Sequence, residues 1–82
     1  MIINNNNNSA LYNAPLLKNT IKVERAKLDI TQGWLAKKVN VSKQTILSIE
    51  KGKFIPSSLL AMKIARFFKV PVEDIFELEP VD

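Results

Sequence analysis

Apolar residues along this chain recur in short helical registers separated by turn signals. Leu35, Ala36 and Val39 share one side of a predicted helix that starts at the Thr31 cap. Asn40 follows where the chain must reverse, and Asn tolerates the left-handed backbone that ends a helix. Val41 comes next, then Ser42, a favoured N-cap. Ile46 and Ile49 give the following helix, Ser42 to about Lys51, an i, i+3 apolar edge, and Gly52 supplies its left-handed stop. Upstream, Asn19 to Leu28 reads as a helix with Asn19 or Thr20 as cap and with Ile21, Arg25 and Leu28 on one face. Downstream, Ser57 caps a helix reaching about Phe68, whose Leu60, Ala61, Ile64, Ala65 and Phe68 form the central core face, with Leu59 opposite. Val70 to Phe76 reads as a short fifth helix: Pro71 suits its first turn, Glu73 and Asp74 complement its N-terminus, and Ile75 and Phe76 are its anchors. Phe76 to Glu79 then alternates apolar and acidic residues, as a half-buried strand does.

The polar side of the Ser42 to Lys51 helix carries the candidate chemistry. At about 100° per residue, Gln44, Leu47, Ser48 and Lys51 point away from Ile46 and Ile49, with Lys43 at their edge and Thr45 and Glu50 at the margins of the buried side. Gln bonds bidentately to adenine in a major groove, Lys to guanine, Ser to either, and an aliphatic group meets a thymine methyl. Lys43, Gln44 and Ser48 are therefore the candidate base readers, with Leu47 a weaker one. A plain solvated helix face is the competing account of the same residues.

Charge favours the first account. The net charge is +4. Lys18 to Lys53 holds nine cations against three acids, net +6, whereas Phe54 to Asp82 holds three cations against five acids, net −2. A basic half that contains the turn suits a duplex and steers that face towards phosphate. The chain has no Cys and no His, so disulfides, thiol nucleophiles, the usual zinc sites and imidazole catalysis are excluded. It has no Gly-rich phosphate loop, and its adjacent acids Glu73 and Asp74 are accounted for by the helix end they occupy. No enzyme, metal, cofactor or small-molecule ligand is expected. No apolar run approaches the ~20 residues of a membrane span, and a chain this small without disulfide staples suits the cytosol, so a cytoplasmic location is expected.

In sequence order, T-Q-x-x-L-A at Thr31 to Ala36, V-x-V-S-x-Q-T-I at Val39 to Ile46, and S-I-E-x-G-K at Ser48 to Lys53 are followed by P-S at Pro56-Ser57, K-I-A at Lys63 to Ala65 and V-P-V-E-D-I-F at Val70 to Phe76. This string resembles the phage repressor and Cro-type, or XRE-like, helix-turn-helix transcriptional regulators over roughly Asn19 to Phe76. The resemblance implies an all-α, five-helix repressor/Cro-like domain with short terminal β-strands. It implies an ion pair between Arg25 and Glu50, for which Arg25 on a core-facing side of its helix independently needs a partner; a solvated Arg25 is the alternative. It implies that Gln32 orients on the DNA backbone and that the loop carrying Lys51 and Lys53 flanks the duplex. Ser42 and Thr45, at the start of the reading helix, join them as backbone contacts. Some short members of the family pair terminal strands and dimerise near the fifth helix; Met1-Ile2-Ile3 and Phe76 to Glu79 look like such strands, although the asparagine insertion changes the spacing to the first helix. This chain departs from the family at Gly33 and Trp34, where polar helix-favouring residues are usual; packing against neighbouring apolar surface is the expected role of Trp34.

The expected organisation is an Asn-rich extension over residues 1–18, with Asn4 to Asn8 in one run, a DNA-binding domain over 19–76, and a tail or short strand over 77–82. A domain of about sixty residues buries only ~60% of its unfolded surface, so a homodimer is expected. The expected partner is a double-stranded operator. The alternative is an antitoxin-like protein-interaction module on the same scaffold, using Trp34 and the N-terminal segment instead.

Overall fold

A computed structural model describes residues 17–78. The order is β1 (Leu17–Asn19), α1 (Ile21–Leu28), α2 (Gln32–Lys38), α3 (Lys43–Glu50), α4 (Ser58–Phe68), α5 (Val72–Ile75) and β2 (Phe76–Leu78). Five short helices surround one buried cluster built from Ile21, Leu35, Ala36, Val39, Ile46, Ile49, Leu60, Ile64, Ala65, Phe68, Ile75 and Phe76. The apolar positions that set the helical registers of α2, α3 and α4 supply most of this core.

Side chains start the middle three helices. Thr31, Ser42 and Ser57 each accept a hydrogen bond from the backbone N–H three residues on, at 3.0, 3.1 and 3.1 Å. Four helices end alike. Asp29, Asn40, Gly52 and Lys69 take positive φ, from 56° to 76°. Each residue after them donates back to a carbonyl five residues earlier: Ile30 to Arg25, Val41 to Ala36, Lys53 to Ser48 and Val70 to Ala65. This is the doubly bonded left-handed stop. Ile30, Val41 and Val70 then pack on the core, which locks the direction in which the chain leaves. Lys53 is the exception: it is exposed.

The two strands pair antiparallel, Leu17 with Leu78, Lys18 with Glu77 and Asn19 with Phe76. The C-terminal strand thus forms where its alternation predicted. Its partner is Leu17–Asn19; Met1-Ile2-Ile3 lies outside the described residues. Asn19 belongs to β1, and of the two expected caps it is Thr20 that occupies the N-cap position of α1, which begins at Ile21, although the Thr20 side chain makes no capping bond. The Asn19 side-chain oxygen still accepts from the Ile21 N–H at 3.2 Å, so it serves the helix start from within the strand. The fifth helix is shorter than expected, Val72–Ile75, because Phe76 enters the sheet.

Two packing expectations are corrected. Leu28, placed with Ile21 and Arg25 on a core face, is 53% exposed, because α1 stops immediately after it and the chain turns inward at Ile30 instead. Trp34 is 47% exposed and lies outside the buried cluster. Its ring is covered by Lys38, whose Nζ sits 4.6 Å from the ring centroid one helical turn on.

Candidate nucleic-acid interface

The site is built on α3. Ile46 and Ile49 are sealed in the core and fix the helix's rotation. That rotation leaves Lys43 and Gln44 exposed, with Leu47 and Ser48 half-buried on the same outward side. Ser42 and Thr45 are joined at the start of the helix: the Ser42 hydroxyl accepts from the Thr45 N–H, and the two hydroxyl oxygens lie 2.9 Å apart. One hydroxyl hydrogen bridges them, which leaves the other free for an outside acceptor. Lys51 and Lys53 are both exposed at the far end, on either side of Gly52.

The position of α3 is held by polar contacts as well as by its apolar edge. Arg25 on α1 grips Glu50 on α3 in a two-point contact, Nε to Oε2 at 2.6 Å and Nη2 to Oε1 at 3.1 Å. Its remaining nitrogen, Nη1, donates to the Ile30 carbonyl at 3.0 Å. Only 14% of the Arg25 and 7% of the Glu50 side chain is exposed. The ion pair inferred from the sequence is therefore present and largely buried.

Gln32 is more constrained than the sequence suggested. Its Nε2 donates to Glu50 Oε1 at 3.1 Å, which orients the amide and leaves one N–H for another acceptor. Sequence reasoning offered Asn19 as a helix cap and missed its second contact. Its Nδ2 donates to the Ile49 carbonyl at 2.8 Å and so ties β1 to the last turn of α3. No periodicity announces such a contact, because it spans 30 residues and depends on the strand. The exposed apolar pair Phe54 and Ile55, directly after Lys53, went unremarked as well.

Between the starts of α2 and α3 lies an open groove of about 490 Å³, lined by Arg25, Asp29, Ile30, Thr31, Gln32, Gly33 and Lys43. The nearest atom a Cβ on Gly33 would meet is Thr31 Oγ1, at 3.9 Å, so the fold itself does not require glycine there. The groove brings Gln32 and Lys43 to one surface. Lys51 and Lys53 do not line it; they extend the basic surface past the other end of α3.

A helix-turn-helix family model matches residues 21–75. An uncharacterized HTH-type transcriptional regulator of Methanocaldococcus jannaschii is 57% identical over 63 residues, covering 77% of this chain and 96% of that protein. The uncharacterized HTH-type transcriptional regulator YgzD of Bacillus subtilis is 44% identical over 63 residues, with the same coverage of 77% and 96%. The crystal structure of a candidate DNA-binding protein from Bacteroides fragilis superposes with a TM-score of 0.68 at 29% identity, covering 76% of this chain and all of that one. With 63 of 82 residues matched, 19 lie outside each of the two sequence alignments. The family model begins only at residue 21, so most of that surplus precedes the domain.

Proposed function

Because the chain belongs to the helix-turn-helix family of transcriptional regulators, we propose that it is a sequence-specific double-stranded DNA-binding regulator, a homodimeric repressor that reads the major groove with α3. The observation that carries this reading is the division of α3 into a buried edge, Ile46 and Ile49, and an open face that presents Lys43 and Gln44. Lys43, Gln44 and Ser48 contact base edges, and Leu47 meets a thymine methyl. Gln32 through its second N–H, Ser42 and Thr45 through their free hydroxyl hydrogen, and Lys51 and Lys53 through their ammonium groups hold phosphate. Occlusion of a promoter in the cytoplasm is the simplest mechanism for a domain of this size. Two copies related by a two-fold place their recognition helices about 34 Å apart, so the operator is a palindrome with half-sites one turn apart.

Selection of bound duplexes from a random pool at fixed salt tests the reading in one experiment. A palindromic consensus is expected. Enrichment of no sequence would sink the base-reading role of α3, and a single unpaired half-site would sink the dimer. Sedimentation at micromolar protein is expected to give twice the monomer mass.

The half-exposed Trp34 supports a second reading, a protein-interaction module that binds through α2. Under it, Trp34→Ala abolishes partner binding while charge reversal at Lys43 and Lys51 leaves it intact. The DNA reading expects the opposite order of effects on duplex binding.

A further inference from the structure

An apolar groove of about 360 Å³ lies beside the two-stranded sheet. Leu17, Ala61, Met62, Val72, Phe76 and Leu78 form most of its wall, and Glu73 stands at its rim. Met62 and Leu78 are 60% and 76% exposed, unusual for large apolar side chains that neighbour each other on so small a domain. We propose that this groove is the seat of the chain's own N-terminal segment, with Leu11, Tyr12 and Leu16 as the apolar groups that cover it.

Three observations select this occupant. The first is where the chain enters. Leu17 pairs with Leu78, and both belong to the groove wall, so residue 16 joins the domain at the groove itself. Leu11 to Leu16 spans up to ~20 Å when extended, enough to cross a depression of this size. The second is length. The relatives are matched over nearly their whole length without a counterpart for some 19 residues of this chain, most of them N-terminal. The third is charge. Ile2 to Leu17 contains no Asp, Glu, Lys or Arg, so the segment covers a groove lined in part by Glu73 without setting a second carboxylate against it. A second copy docked on this face would bring its own Glu73. Burying Leu11 and Leu16 against Met62 and Leu78 removes apolar surface from water on both partners.

Peroxide oxidation of Met62, followed by peptide mass mapping across a wide range of protein concentration, tests the proposal on the full chain. A covered thioether oxidises slowly. The wild-type chain is expected to form sulfoxide at Met62 severalfold more slowly than free methionine, at every concentration, and the L11S/Y12S variant at close to the free rate. A nuclear Overhauser contact between the Tyr12 ring and the Met62 methyl is expected in the wild type alone. Protection that grows with concentration and survives in L11S/Y12S would assign the groove to a second copy and overturn the proposal. Oxidation at the free rate in both proteins would overturn it too, by showing the groove uncovered.

Discussion

Arg25 ties three helices together with one guanidinium. It reaches from α1 to Glu50 on α3 and to the Ile30 carbonyl before α2, and Glu50 in turn receives the Gln32 amide of α2. A buried pair of this kind need not stabilise more than apolar packing would, but removing one partner strands the other. Arg25→Ala is expected to cost ~3–5 kcal/mol in denaturant unfolding, a large share of a small domain's stability, and the double variant Arg25→Met with Glu50→Leu much less than the sum. A single variant within experimental error of the wild type would show that water satisfies Glu50. At the opposite face of α3, Gln44→Ala is expected to cost ~1–3 kcal/mol on the selected operator and to relax preference at one base pair. An equal loss on every sequence would remove Gln44 from the base readers. The Arg25–Glu50 pair was legible in the sequence because a cation on a core-facing side needs a partner. The Gln32 contact was not, because nothing in the residue pattern indicates that this amide turns inward.

The elements are short, and their ends decide the fold. Seven- and eight-residue helices are marginal alone and persist through caps and packing. Asn40 and Gly52 signalled their left-handed stops in the sequence, since both residue types favour that backbone. Asp29 carries a weaker form of that signal and Lys69 none, and the structure puts them there at φ 56° and 61°. What holds them is the next residue: Ile30 and Val70 are drawn to the core, and the residue before each accepts the strain. Lys69→Gly relieves a left-handed penalty of ~1–2 kcal/mol and adds back about 0.5–1 kcal/mol of unfolded-chain freedom. The net expectation is a gain of about 0.5–1 kcal/mol, a rise of a few degrees in thermal midpoint. A fall would show that the Lys69 side chain makes a stabilising contact of its own. β1 escaped the sequence reading because Asn19 reads as a helix cap, which leaves Leu17 and Lys18 without an alternation to extend.

Across the whole molecule, charge and apolar surface are distributed unevenly. The half of the sequence that contains α3 carries the excess of cations, and the other half is acidic. Binding to a polyanion then depends on salt, by about one counterion per phosphate neutralised. Lys53→Ala is expected to weaken specific and random duplex alike and to lower the salt slope by ~1. An unchanged slope would mean that the loop after α3 does not reach phosphate. The exposed apolar side chains Leu59, Met62 and Leu78 lie on α4 and β2, and Phe54 and Ile55 lie in the loop before α4. A small domain lacks the interior to hide Leu59, Phe54 and Ile55.

The sequence by itself determined the helices of the turn, the caps at Thr31, Ser42 and Ser57, the inward edge of α3 and the charge of its surroundings. Each of these depends on neighbours within one or two helical turns, which a single chain displays directly. Tertiary structure alone decided that Leu17–Asn19 pairs with Phe76–Leu78, that Asn19 holds the end of α3, that Gln32 serves Glu50 and that Leu28 and Trp34 stand in solvent. These depend on which distant surfaces meet once the core has closed, and local pattern carries no record of that meeting.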